Sequence, residues 1–279
     1  MTALSRAAVL GSPVRHSLSP ILHRTAYAAM SLTAWHYEAV ECDEAGLPAL
    51  LAGLGPEWAG LSLTMPLKRA VLPLLDTVTP LAVATGGANT VVLRGGTRHG
   101  DNTDVYGIVT ALREAGIRAP ASAAVLGGGA TAASSLAALK ELGLDRAVLV
   151  VRDPARARDT AEAAERVGVA LAVRTFGQVE EALGVELVVS TLPSGAADVH
   201  AAALARVPAL FDVVYSPWPT AAAVAVAAAG GVVVGGFPML LHQAVRQVEM
   251  MTGRSDVPVE AMRAAGEAEL LRRSAARTG

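Results

Sequence analysis

Lysine is rare in this chain. Of its 23 basic residues only Lys68, in "GLSLTMPLKR", and Lys140 are lysines. Arginine stays protonated at any working pH, whereas a lysine can give up its proton when its surroundings favour the neutral amine. Lys68 is therefore a candidate proton-transfer group. Asparagine is as scarce: Asn89 stands in "GGANTV" and Asn102 in "GDNTD", each just before a threonine. Rare polar residues in turns often serve as caps or turn formers. That reading suits Asn102, because "DNTD" opens a helix, and suits Asn89 less, because Asn89 enters a strand. Asp104 closes the same motif. As a helix cap it would have a fixed position, which is compatible with a part in catalysis.

A second set of residues points to a nucleotide. "AVLGGGATAASSLAAL" spaces Gly127, Gly129 and Ala132 as G-x-G-x-x-A. In a chain with 27 glycines the spacing alone says little, but here an apolar strand enters it and a helix leaves it. In that context the first glycine permits the tight turn and the second lets pyrophosphate approach the backbone. Ala132 lets the helix pack closely on the strand. Gly127, Gly128, Gly129, Ala130 and Thr131 would hold the phosphates at the helix N-terminus. The next strand ends in "VLVVRDPARAR", where Val151 takes the position at which NAD sites usually place an acid. Arg152 follows, and Arg156 stands one turn on. Two guanidiniums suit a 2′-phosphate, since arginine pairs with phosphate bidentately; the expected cofactor is NADP. Asp153 has two readings, one facing the ribose and one as a helix cap before Pro154. Arg158 reads as solvated helix surface.

Positioning these groups takes two series of strands alternating with helices. The first runs "RAAVLGS", "SPILHRTAYAAMSL", "WHYEAVEC", "EAGLPALLAGL", "WAGLSLTM" and "PLKRAVLPLLD". Ser19 is expected to cap the first helix, with Pro20 at its first position. A strand pair turning at Gly95-Gly96 follows, then a helix ended by Gly116. In the second series short, nearly continuous apolar strands alternate with helices, the pattern of a parallel sheet covered on both faces. The tail from Pro238 reads as helical. The expected fold class is α/β with two domains, an N-terminal α/β substrate domain and a Rossmann-like NADP-binding domain. Their expected bounds are 1–104 completed by 238–279, and 105–237, with substrate and nicotinamide in the cleft between them.

The bulk numbers narrow the function. A net charge of −2 and a pI near 6.3 give no electrostatic reason to expect nucleic acid or anionic lipid as a partner. The uncharged stretch 220–241 is broken by paired glycines and Pro238, so it reads as helix, turn, strand and helix and no membrane span is expected. One cysteine, Cys42, makes no internal disulfide and no thiolate metal site, which fits a reducing cytosol. No signal peptide is read at the N-terminus, so the expected location is cytoplasmic. No histidine, cysteine and carboxylate cluster has metal-ligand spacing, and no metal is expected. His16 reads as a loop-shaping residue and His242 as structural. The oligomeric state, monomer or homodimer, is not legible.

Seven motifs in order, "GSPVRHSLSPILH", "SLTMPLK", "GANT", "GDNTD", "GGGATA", "DVVYSP" and "MLLHQA", resemble the shikimate dehydrogenase family over essentially the whole chain. The resemblance implies interconversion of 3-dehydroshikimate and shikimate with NADP(H). It implies that Lys68 and Asp104 are the catalytic pair and that Ser17 and Ser19 hold the substrate carboxylate. It sets Thr64, Asn89, Asp104 and Gln243 around the ring hydroxyls and Tyr215 on the substrate side. It makes Arg152 and Arg156 the 2′-phosphate clamp and has Thr191, Val213 and Gly236 line the nicotinamide. Hydride transfer to a ketone puts negative charge on oxygen, so a proton donor must sit beside it. Direct proton transfer by Lys68 and electrostatic anchoring by it are both open.

The chain departs from the family's pattern at several positions. Ala133 replaces a basic residue and Val151 an asparagine, and both changes could weaken NADP selectivity. Val105, Pro238 and Arg24 replace Gly, Gly and Asn; Pro238 would stiffen the junction between domains. Three alternatives keep much of the same reading. A quinate/shikimate or aminoshikimate dehydrogenase using NAD(P) would retain the same residues. Lys68 and Asp104 argue against a non-catalytic NADP-binding paralogue, and the serines of "HSLSP", which suit a small carboxylate, argue against a methylenetetrahydrofolate dehydrogenase.

Overall fold

The structure, a computed structural model, describes residues 4–278, the side chains of Arg156, Arg277 and Thr278 excepted. The chain divides into two compact units. One holds the residues up to Val83, Gly87–Thr103 and Leu241 onward; the other holds Ala84–Gly86 and Asp104–Leu240.

The first stretch of chain forms β1 (Ser5–Gly11), α1 (Ser19–Ala29), β2 (Trp35–Glu41), α2 (Leu47–Ala52), β3 (Trp58–Leu63), α3 (Leu67–Ala70), β4 (Thr77–Val78), α4 (Pro80–Thr85), β5 (Thr90–Arg94) and β6 (Thr97–Asp101). Its six strands make one sheet in the order β2-β1-β3-β5-β6-β4. The core strand β1 runs parallel to β2 and β3, while β5 runs antiparallel to β3 and β6. Alternation of strand and helix thus gives a mixed sheet here. Leu10, Leu61, Leu63, Leu67 and Val91 fill its core. The helix expected over "PLKRAVLPLLD" stops at Ala70, and a 3₁₀ turn over Leu72–Leu74 replaces the rest; Pro73 brings no N–H to the helical ladder. Ser19 does not cap α1. Leu18 is the N-cap, and the Ser19 N–H is taken instead by the Ser17 hydroxyl oxygen at 3.1 Å.

The second unit adds α5 (Asp104–Glu114), β7 (Ala123–Leu126), α6 (Ala130–Glu141), β8 (Arg146–Val151), α7 (Arg158–Val167), β9 (Ala170–Thr175), α8 (Val179–Ala182), β10 (Leu187–Ser190), α9 (Ala201–Leu204), β11 (Ala209–Asp212), α10 (Ala221–Ala228) and β12 (Val232–Val234). Every pairing in its sheet is parallel, in the order β12-β11-β10-β7-β8-β9. Read from β9, this is the doubly wound dinucleotide-binding order, whose direction reverses between β7 and β10. The apolar runs behave as expected: Val125, Leu149, Val189 and Phe211 are buried in one core.

Two more helices, α11 (Gly236–Thr252) and α12 (Val259–Thr278), follow. α11 begins two residues ahead of Pro238, which its first turn tolerates because the N–H of an early helical position has no partner in any case. α12 packs on α1 within the first unit. Among the described residues no helix is long and apolar enough to cross a membrane.

Candidate active site

In the first unit the candidate residues stand at the carboxyl ends of parallel strands. β1 runs into the loop of Ser17, and β3 runs into Thr64 and the short helix of Lys68. The two strand ends are laced together: Thr64 N–H donates to the Leu10 carbonyl at 2.9 Å and Ser12 N–H to that of Met65 at 3.0 Å. Ser17 is half-buried and Ser19 is buried. Lys68 is half-buried, and its carbonyl accepts the Ala88 N–H at 2.8 Å, which fixes the backbone of Lys68 beside the strand that Asn89 enters.

Asn89 lies at the centre of a buried polar cluster. Its amide donates to the side-chain oxygen of Gln243 at 3.2 Å and to the Thr103 hydroxyl at 3.0 Å. Its side-chain oxygen accepts from the Thr103 N–H at 2.8 Å and from the Thr90 hydroxyl at 2.9 Å. An asparagine has two donor hydrogens and one carbonyl. A ligand hydroxyl therefore reaches Asn89 only by replacing one of these neighbours, and the long Gln243 contact is the weakest of the four.

Sequence reasoning did not find the groups behind Asn89. Tyr37 donates to the Ser62 hydroxyl at 2.6 Å, Ser62 donates to the Gln247 oxygen at 2.7 Å, and the Gln247 amide donates to Thr90 at 3.0 Å. All four are buried. Burial raises the Tyr37 phenol well above its ordinary value, so it stays a donor. A signal was present: Gln243 and Gln247 lie four residues apart, on one face of their helix. His23 stacks on Tyr37 with ring centroids 3.9 Å apart.

The second unit collects the cofactor candidates. Gly127 follows β7 with φ +104°, and a Cβ there would lie 2.6 Å from the Thr191 hydroxyl. Only glycine combines that backbone with that approach. Thr191 in turn donates to the Leu126 carbonyl at 2.9 Å, so the ends of β7 and β10 meet where the strand order reverses. Thr160 fixes the Gly128 carbonyl at 2.8 Å. Gly129 is the N-cap of α6 and no side chain caps that helix, which begins at Ala130 and Thr131. Its first N–H groups thus have no side-chain acceptor of their own, the arrangement that suits phosphate oxygens.

A cavity of about 560 Å³ opens on this turn, lined by Gly127, Gly128, Val151, Arg152, Phe176 and His200 among others. Arg152 is the cationic group at the end of β8. Its neighbour Asp153 caps the 3₁₀ turn Pro154–Ala157 by accepting the Ala155 N–H at 3.0 Å, so the cap reading of Asp153 holds. The side chain of Arg156 lies outside the described residues. Phe176 and His200, stacked 5.1 Å apart in this cavity, gave no sequence signal. Val213 and Gly236 are in direct contact: a Cβ on Gly236 would stand 1.9 Å from the Val213 carbonyl oxygen. Tyr215 is half-buried just beyond β11. Asp104 is buried at the start of α5 in this unit, whereas Lys68 belongs to the other. Among the described residues, helix N–H groups without a side-chain cap and the Arg152 guanidinium, beside Val151 where an NAD site usually places an acid, fit NADP, with Asp153 also lining the cavity. Among the described residues no group of three or more histidines, cysteines and carboxylates could hold a metal ion.

Residues 9–91 match the family model of the shikimate dehydrogenase substrate binding domain, and residues 236–265 match that of the shikimate 5′-dehydrogenase C-terminal domain. The shikimate dehydrogenase (NADP(+)) of Oleidesulfovibrio alaskensis is 35% identical over 255 residues, which span 88% of this chain and 89% of that protein. The crystal structure of Mycobacterium tuberculosis shikimate dehydrogenase superposes with a TM-score of 0.88 at 44% identity, covering 95% of this chain and 99% of that one. The Thermus thermophilus enzyme, solved in complex with NADP(H) and shikimate, has a TM-score of 0.81 at 32% identity, with 95% and 99% of the two chains covered.

Proposed function

This chain belongs to the shikimate dehydrogenase family, and on that premise we propose that it interconverts 3-dehydroshikimate and shikimate with NADP(H). The buried polar cluster of Asn89, Thr103 and Gln243 carries the reading. Such a cluster suits a polyhydroxylated ring, whose hydroxyls can take over hydrogen bonds as they arrive.

NADPH, when bound, supplies the hydride that reduces the ketone carbon. Lys68 gives a proton to the oxygen on which negative charge builds, and takes it back in the reverse direction. Asp104 is the carboxylate partner of Lys68 and accepts a hydrogen bond from the hydroxyl being formed. Ser17 and Ser19 donate to the substrate carboxylate. Thr64, Asn89, Gln243 and Tyr215 take the remaining hydroxyls, with Gln243 yielding its bond to Asn89 on substrate entry. Backbone N–H groups from Gly127 to Thr131 hold the pyrophosphate, Arg152 and Arg156 take the 2′-phosphate, and Thr191, Val213 and Gly236 bound the nicotinamide.

The test is absorbance at the reduced-nicotinamide band with shikimate or quinate, each paired with NADP⁺ or NAD⁺. Rapid reduction with shikimate and NADP⁺ is the expected result. Preference for quinate or NAD⁺ would overturn the substrate or cofactor assignment, and no reduction by folded protein would overturn the activity.

A further inference from the structure

The loop that carries Ser17 has one backbone bond of its own, from the Ser17 N–H to the Val14 carbonyl at 2.9 Å, but that bond leaves the His16 and Ser17 carbonyls to be held from outside. It runs from the end of β1 to α1, and Pro13, Arg15 and His16 are exposed. Two anchors lie at its start: the Ser12 N–H on Met65, and the Val14 N–H donating to the Glu41 carboxylate at 3.2 Å. Its later half is held from the far end of the chain. Arg273, on α12, donates through Nη1 to the His16 carbonyl at 2.6 Å and reaches the Ser17 carbonyl through Nη2 at 3.5 Å.

The guanidinium that makes these contacts is itself fixed. Arg273 Nε donates to Glu269 at 2.6 Å, one helical turn earlier, and Arg272 donates to both oxygens of the same carboxylate at 2.7 and 2.8 Å. These hydrogen bonds, that of Arg272 first, hold the Glu269 carboxyl down to about 2, so it stays charged through the working range of an enzyme. The Arg273 and Glu269 side chains are 21% and 17% exposed, and two arginines share the one carboxylate, a network of the kind that lets an ion pair near the surface count. An arginine has the planar fork needed to serve a carboxylate and two carbonyls at once; lysine, a point charge on a flexible stem, does not.

We propose that Arg273, held by Glu269, is a positioning residue for the substrate carboxylate: it fixes the peptide planes of His16 and Ser17 and so aims the hydroxyls of Ser17 and Ser19. Rotation of either plane would swing the Ser17 side chain and release the Ser19 N–H that its oxygen accepts. The inference rests on the reading of Ser17 and Ser19 given above.

The experiment is steady-state kinetics of Arg273→Ala, Arg273→Lys and Ser17→Ala with shikimate and with its methyl ester, which keeps the ring but loses the carboxylate charge. For Arg273→Ala the expected result is a KM for shikimate raised about tenfold, with kcat and the KM for NADP⁺ within about twofold. Arg273→Lys recovers only part of the loss. Discrimination between shikimate and its ester shrinks in both Arg273→Ala and Ser17→Ala, and the double variant is no worse than the more impaired single one. If Ser17→Ala raises the shikimate KM and Arg273→Ala does not, the positioning role is overturned while the serine reading stands. If Ser17→Ala leaves KM and ester discrimination unchanged, the serine reading fails and this inference with it. Equal loss on shikimate and ester in Arg273→Ala, with a lowered melting temperature, would make the residue structural only.

Discussion

Asn89 and Gln243 touch through their side chains at 3.2 Å although 154 residues separate them in the chain. The contact ties the entrance of β5 to α11, and it lies among groups that leave Asn89 no spare hydrogen. Removing Asn89 therefore does more than delete a ligand contact. In Asn89→Ala the buried Thr103 N–H and Thr90 hydroxyl lose their acceptor, and stability should fall by about 2–3 kcal/mol. Urea unfolding checks this: the midpoint should drop with the slope unchanged. An unchanged midpoint would mean that the cluster is loosely made.

Lys68 is the group on which the chemistry turns. Lys68→Ala is expected to lower kcat by about 10²–10⁴-fold while shifting KM for shikimate by no more than a few-fold. The opposite split, a large rise in KM with kcat kept, would mean that the ammonium binds substrate and leaves the proton to another group.

Arg152 lines the cavity beside Gly127 and Gly128 with no acid before it. Arg152→Ala should raise the KM for NADP⁺ by about 10- to 100-fold, the usual worth of a hydrogen bond to a charged group, and leave the KM for NAD⁺ nearly unchanged. An equal loss for both nucleotides would place Arg152 away from the 2′-phosphate.

His23 gives the fold a pH dependence. It is fully buried, its Nδ1 donates to the Ser19 carbonyl at 2.9 Å, and its Nε2 has no partner. Burial lowers its pKa to about 4, against the smaller upward pull of the Ser19 bond. An unfolded histidine titrates near 6.5, so above about pH 6.5 both states are neutral and stability is at its full value. Between about 6.5 and 4 only the unfolded state takes the proton, and stability falls by about 3 kcal/mol across that window. His23→Phe keeps a ring for Tyr37 to stack on and should flatten the dependence. A variant with the wild-type slope would assign it elsewhere.

Gly236→Ala should cripple the enzyme or its folding, because the new methyl would need the Val213 carbonyl to move from 1.9 Å to a normal contact. The check is expression and melting of the variant. A wild-type melting temperature would show that the β11 end yields freely.

Much of this was legible along the chain, and the reasons differ by element. The apolar runs around Val125 and Leu149 declare a buried parallel sheet because every side chain in them is apolar. The turn at Gly127 declares itself because spacing and context agree. By contrast, β4 is two residues long, too short for any period to register. Ser19 looked like a cap because serine before proline usually is one, yet Leu18 holds that place and the Ser17 hydroxyl accepts the Ser19 N–H. In the relay from Tyr37 through Ser62 to Gln247, the Ser62–Gln247 bond alone joins residues 185 positions apart. The spacing of Gln243 and Gln247 marks a polar stripe, but no local pattern names its partners, because only the folded sheet brings them to one place. Arg273 was invisible for the same reason.

The first unit takes its residues from both sides of the second. During synthesis Ser17 leaves the ribosome 256 residues before Arg273 does. At about 5–20 residues per second the β-sheet of Asn89 and Lys68 must wait on the order of ten seconds or more for α11 and α12. The inserted unit, Ala84–Gly86 with Asp104–Leu240, has its last residue 38 positions before the end of α12. Released chains that end at Leu240 are therefore expected to resist protease in the inserted unit and to be cut readily in the flanking one. Protection of both at that length would show that the early sheet stands without its late helices.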